Sequence, residues 1–115
     1  MELEAQEIPG GSYQIRGVRE AGRLNSDDLD LVMTFMNLGD GVAEVSAAMG
    51  ELDNETNIKL GLLAMQLGFK RLRLHVLKGH KVTRWALFVE TKGPFDYYDV
   101  DLVSAAATYA TDKAL

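Results

Sequence analysis

Arg71, Arg73 and His75 stand two residues apart, so an extended chain presents all three on one face. Lys78, His80 and Lys81 follow at once, and Arg84 comes three residues later. Clustered guanidinium and ammonium groups of this kind hold phosphate or carboxylate, arginine through paired N–H donors. Phe88, Tyr97 and Tyr98 fall on the segments expected alongside and offer rings on which a base could stack. The anion- or partner-binding set is therefore Arg71, Arg73, His75, Lys78, His80, Lys81 and Arg84. A protein partner is the expected occupant and a nucleic acid the alternative. The competing reading is a solvated face whose cations pair with Asp96, Asp99 and Asp101.

Catalytic and metal chemistry finds less support. His75 and His80 span a turn and could meet Asp96 or Asp99, but no helical i, i+4 histidine pair stands behind a metal site. Ser46, His75 and Asp99 make a triad on paper, yet no nucleophile elbow surrounds Ser46. Gly10-Gly11 and Gly39-Asp40-Gly41 match neither G-x-G-x-x-G nor the Walker pattern and read as turns. The chain has no cysteine, which removes disulfides and thiolate ligands. The expectation is a non-catalytic protein with no cofactor and no metal.

The charges are segregated. Residues 1–55 carry twelve acids against three arginines, for −9. Residues 56–89 hold seven bases and no acid, and residues 90–115 return to −3. A local positive field attracts an anion even where the whole molecule, at −5, repels it. With 115 residues, 47% hydrophobic and 25% charged, the composition is that of one globular domain. No apolar run reaches the roughly 18 residues of a membrane span, and MELEAQEIPGG lacks a basic, then apolar, leader. The expected location is the cytoplasm, away from membranes.

The elements that must position these residues follow from periodicity. Residues 1–11 read as a flexible arm closed by Pro9-Gly10-Gly11. Tyr13–Arg19 alternates as a strand. Ser26-Asp27-Asp28 resembles a helix cap, and Leu29, Val32, Met33 and Met36 follow at helical spacing up to Gly39, which predicts a first helix. Val42–Met49 predicts a strand. A second helix runs from the cap Asp53 or Asn54 to Leu67, with Gly68 at its end. That helix leaves only a narrow polar strip, so Leu62, Leu63 and Met65 are expected to pack on a homodimer copy or a partner. Lys70–Leu77 and Val82–Thr91 read as the two strands of a basic β-hairpin, and Phe95–Val103 as a further strand. The fold class expected is α+β: a mixed or antiparallel sheet with two main helices on one face, in the order β-α-β-α-β-β-β. The domain spans 12–103, and 104–115 forms a short helix or tail.

Several of these segments resemble the GNAT N-acyltransferases. Tyr13-Gln14-Ile15-Arg16 is similar to their first strand and Asp28 onward to their first helix. Val42-Ala43-Glu44-Val45, the helix 54–67 and the segment Leu67–Val76 are similar to their strand–helix–strand core. The family's acyl-CoA pyrophosphate loop, Q/R-x-x-G-x-G/A, should lie between Met49 and Ile58. The stretch Gly50-Glu51-Leu52-Asp53-Asn54-Glu55 stands there instead, and its carboxylates repel a pyrophosphate. The resemblance implies a degenerate relative that has lost this loop. The function expected is a small interaction or regulatory protein that binds a partner protein through the basic hairpin face.

Overall fold

A computed structural model describes residues 2–19, 29–50, 53–80, 82 and 85–107. The elements are β1 (Glu2–Ile8), β2 (Ser12–Val18), β3 (Leu31–Gly39), β4 (Val42–Gly50), α1 (Asn54–Gln66), β5 (Arg71–Leu77), β6 (Ala86–Lys92) and β7 (Phe95–Asp101). A short helical segment covers 102–107. All seven strands join one sheet in the order β1-β2-β3-β4-β5-β7-β6. Neighbours are antiparallel except β4 and β5, which run parallel with α1 as their crossover.

The expected α+β fold with two main helices is therefore corrected to a mainly sheet protein with one main helix among the described residues. The first expected helix is the strand β3. Its proposed cap, Ser26-Asp27-Asp28, lies outside the described residues. In an apolar-rich run both periods fit: Leu29, Val32, Met33 and Met36 match a helix, while Leu31, Met33 and Phe35 match a strand. The turn decides. Gly39, Asp40 and Gly41 all take positive φ, at 90°, 55° and 77°, and a D-G pair in that region matches the twist of a two-stranded hairpin. The turn folds β3 back on β4, and β2 receives the other edge. Leu31, Met33 and Phe35 are then buried on one face while Met36 and Leu38 are exposed.

The arm expected over 1–11 is also ordered into the sheet. Its residues form β1, paired from Glu2↔Val18 to Ile8↔Ser12, with Gly10 and Gly11 in the turn.

Helix α1 forms where the sequence places it. Asp53 caps it, accepting the Thr56 N–H at 2.7 Å. At the other end the Phe69 N–H donates to the Ala64 carbonyl and the Gly68 N–H to the Met65 carbonyl, both at 3.0 Å. The paired bonds are a Schellman closure, and Gly68 has φ +96°. Phe69 turns back onto the core, edge-on to Tyr13 and Phe35. Leu60 and Ala64 face the sheet and join Ile15, Leu31, Met33, Phe35, Ala43, Leu72 and Val100 in a single core.

Both helix caps set a pH dependence. The Thr56 backbone hydrogen bond holds the Asp53 carboxyl below its ordinary 3.8, and the Ser104 N–H, donating to Asp101 at 3.0 Å, does the same for Asp101. A carboxyl with a lowered folded pKa stabilises fully above its ordinary value, and that stabilisation is lost as pH falls below it. Asp53→Asn keeps a capping oxygen but cannot titrate. Its thermal midpoint is expected to lie below the wild type at pH 7 and to fall less steeply below about pH 4, so that the two converge in acid. Identical acid slopes in the two proteins would remove Asp53 from the acid response.

Candidate functional site

The site expected from the sequence was a basic two-stranded ribbon, and the strand order takes it apart. Strand β5 does not pair with β6, because β7 lies between them. The reason is visible in the register. Arg71 stands opposite Asp101 and Arg73 opposite Asp99, and opposite charges across an antiparallel pair are favourable. The Arg73 Nε and Nη2 donate to the two carboxylate oxygens of Asp99 at 3.0 and 3.4 Å. That bond, and then the Asp99 charge, raise the Arg73 pKa above its ordinary value.

On its other side Arg73 is paired in register with Glu44 of β4. The His75 Nδ1 lies 3.5 Å from the Glu44 Oε1, and the His75 ring packs edge-on to Phe95 and tilted on Tyr97. Arg71, Lys78 and His80 are exposed, the last two at the turn after β5. Lys81 and Arg84 lie outside the described residues. Arg71, Arg73 and His75 thus share the face opposite α1, with Asp101, Asp99 and Glu44 on the neighbouring strands. Asp99 is engaged by Arg73, so it does not orient His75 toward Ser46. Among the described residues no three histidines or carboxylates gather as a metal site.

The face covered by α1 carries a different feature. Strands β4 and β5 pair only over Val42–Glu44 and Arg71–Arg73, then diverge. Beyond the last pair, Val45 and Leu74 line an apolar cavity of about 300 Å³ between the sheet and α1. Ile58, Leu62 and Met65 supply its helix wall, and Trp85 and Ala105 its far side. Asn57 is the single side-chain amide among the described lining residues, and none of them is charged. Natural interiors hold few voids larger than a water molecule. A pocket this apolar, open at one side, holds water poorly and gains by taking an apolar occupant.

Of the three residues expected at a dimer or partner contact, Leu62 and Met65 line this cavity, and Leu63 packs against the core. Leu62 is 46% exposed and so marks the cavity mouth.

The two sheet edges differ. β1 carries Glu2, Glu4 and Glu7, charges that discourage edge pairing. β6 presents Leu87, Phe88 and Val89 in succession, 68%, 59% and 45% exposed. A register shift between Phe88 and Glu90 bulges the strand there. Phe88 touches Tyr98 edge-on, and among the described residues no strand pairs with the outer side of β6.

No protein-family model matches this chain, and no curated protein matches it. Function must therefore be argued from the residues. No helix among the described residues is long and apolar enough to cross a membrane.

Neither the cavity nor the open edge was assigned from the sequence. A period-two strand over Val82–Thr91 puts Trp85, Leu87 and Val89 on one face, yet Leu87 and Val89 are both exposed. The overlooked signal is the unbroken run Ala86-Leu87-Phe88-Val89, which no period-two pattern can bury on one face. For the cavity the signal was the narrow polar strip of α1 combined with Gly61 at its centre.

Proposed function

We propose that this protein is a small non-catalytic interaction module that binds a partner protein by adding the partner's extended, apolar segment to the edge of β6. The observation that carries this reading is the exposure of Leu87, Phe88 and Val89 on both faces of an unpaired edge strand. The bulge, Glu90 and Lys92 guard the second half of that edge, whereas Ala86–Val89 carries no charge to discourage pairing. An added strand supplies backbone donors and acceptors together with alternating side chains, and a polypeptide is the ligand that offers both. The basic set on β5 is a weaker candidate surface, because Arg73 is spent on Asp99 and Arg71 faces Asp101.

The test uses a photo-crosslinking residue at position 87 of the full chain, with Gln14 in the middle of the open sheet face as the control position. In extract of the native cell, position 87 is expected to give protein adducts that survive nuclease treatment. The amides of Leu87 and Val89 should exchange more slowly in the isolated complex. Adducts equally strong from position 14, adducts lost with nuclease, or unchanged exchange at β6 would each overturn the reading. Nuclease sensitivity would instead favour a polynucleotide partner.

One observation favours a second reading, a degenerate GNAT-like acyltransferase. Strands β4 and β5 are parallel with α1 between them, as the strand–helix–strand resemblance requires. Against it, Asp53 already occupies the Thr56 N–H and holds a carboxylate where a pyrophosphate would sit. A thermal shift on adding acetyl-CoA would promote this reading, and an unchanged midpoint would remove it.

A further inference from the structure

We infer that the cavity between α1 and the β4–β5 divergence is a binding site for a small, neutral, carbon-rich molecule of about two rings. This site opens on the α1 side of the sheet and reaches Trp85 just before β6, but neither proposal needs the other.

Three observations specify the occupant. The volume is about 300 Å³, roughly twice the ~150 Å³ that suffices for benzene in an apolar cavity. None of the described lining residues is charged, so an ionic ligand would lose its hydration with nothing to replace it. Asn57 contributes one amide at the helix wall, enough to orient a single polar atom on an otherwise apolar molecule. Two flexible thioethers, Met33 and Met65, face the space from sheet and helix, and methionine adapts its shape to the contour of a guest. The mouth beside Leu62 gives access without unfolding.

Gly61 supplies the means of testing this. It sits on the cavity wall in the middle of α1, and a Cβ built there meets only the Leu102 Cδ2 at an ordinary 3.7 Å. Gly61→Leu therefore fills the cavity while improving helix propensity.

The experiment uses the full chain and prodan, an uncharged naphthalene ketone of two rings whose fluorescence rises in apolar surroundings. Saturable one-to-one binding is expected, with a raised thermal midpoint and nuclear Overhauser contacts from probe to the methyls of Met33 and Met65. Gly61→Leu should weaken binding roughly tenfold or more while its own thermal midpoint stays at or above the wild-type value. Gln14→Lys, exposed on β2 and off the cavity lining, should leave the affinity unchanged. Should Gly61→Leu fail to fold, Ala106→Phe closes the same space from the 102–107 segment and must show the same loss. Absence of binding, affinity that survives both fillings, or contacts at Leu87 instead of the methionines would overturn the site. Absence of binding would also mean that the chain itself or a second copy closes the space.

Discussion

Phe35→Ala is expected to destabilise the protein by about 3–5 kcal/mol, a large share of a total stability of about 5–15 kcal/mol. Phe35 is 0% exposed, lies at the centre of β3 and packs edge-on against Phe69. Truncation removes a ring contact and leaves a void that joins the existing cavity, since Phe35 already lines it. The neighbouring Met36 is 45% exposed, so Met36→Ala should change stability by no more than about 0.5 kcal/mol. The contrast tests the strand itself. On a helix with Leu29, Val32 and Met33 on its buried stripe, Met36 would lie inside. Chemical denaturation of both variants, with comparable costs for the two, would restore the helical reading.

Arg73→Glu is expected to cost roughly 2 kcal/mol, and Arg73→Glu with Asp99→Arg to recover most of it. The charged hydrogen bonds to Asp99 are of a kind worth about 1.5–3 kcal/mol, discounted here because the Arg73 side chain is 39% exposed and screened. The substitution also places a third carboxylate between Glu44 and Asp99, the register neighbours of position 73. The exchanged pair keeps one cation opposite one anion, so the coupling in a double-mutant cycle should be clearly favourable. Arg73→Glu as stable as the wild type, with no gain from the exchange, would mean that this guanidinium is free to serve a partner.

How much was legible depends on which force decided each element. Helix α1 was readable to within a residue because its signals are local: Asp53 at the cap, Gly68 at the close, an apolar stripe between them. The hairpin strands at Tyr13–Val18, Val42 onward and Arg71–Leu77 were equally readable from alternation. β3 was not, because its apolar run satisfies two periods and only its neighbours choose between them. The placement of β7 beside β5 was not readable either, since a short loop such as Lys78–Lys81 suggests a hairpin. The register shows the stronger argument, arginines at 71 and 73 against aspartates at 101 and 99. The candidate site was harder still: the cavity is lined from β3, β4, α1, β5, β7 and the 102–107 segment, and of these only α1 carries a trace of it in sequence.

The unequal sheet edges also govern what larger object this chain can build. Head-to-tail growth needs two different edges to pair on every copy, and Glu2, Glu4 and Glu7 make the β1 rim ill suited to it. If copies associated through the β6 rim alone, the contact would be twofold and the assembly would close at two. Fibre growth would require the carboxylate-bearing rim to pair as well.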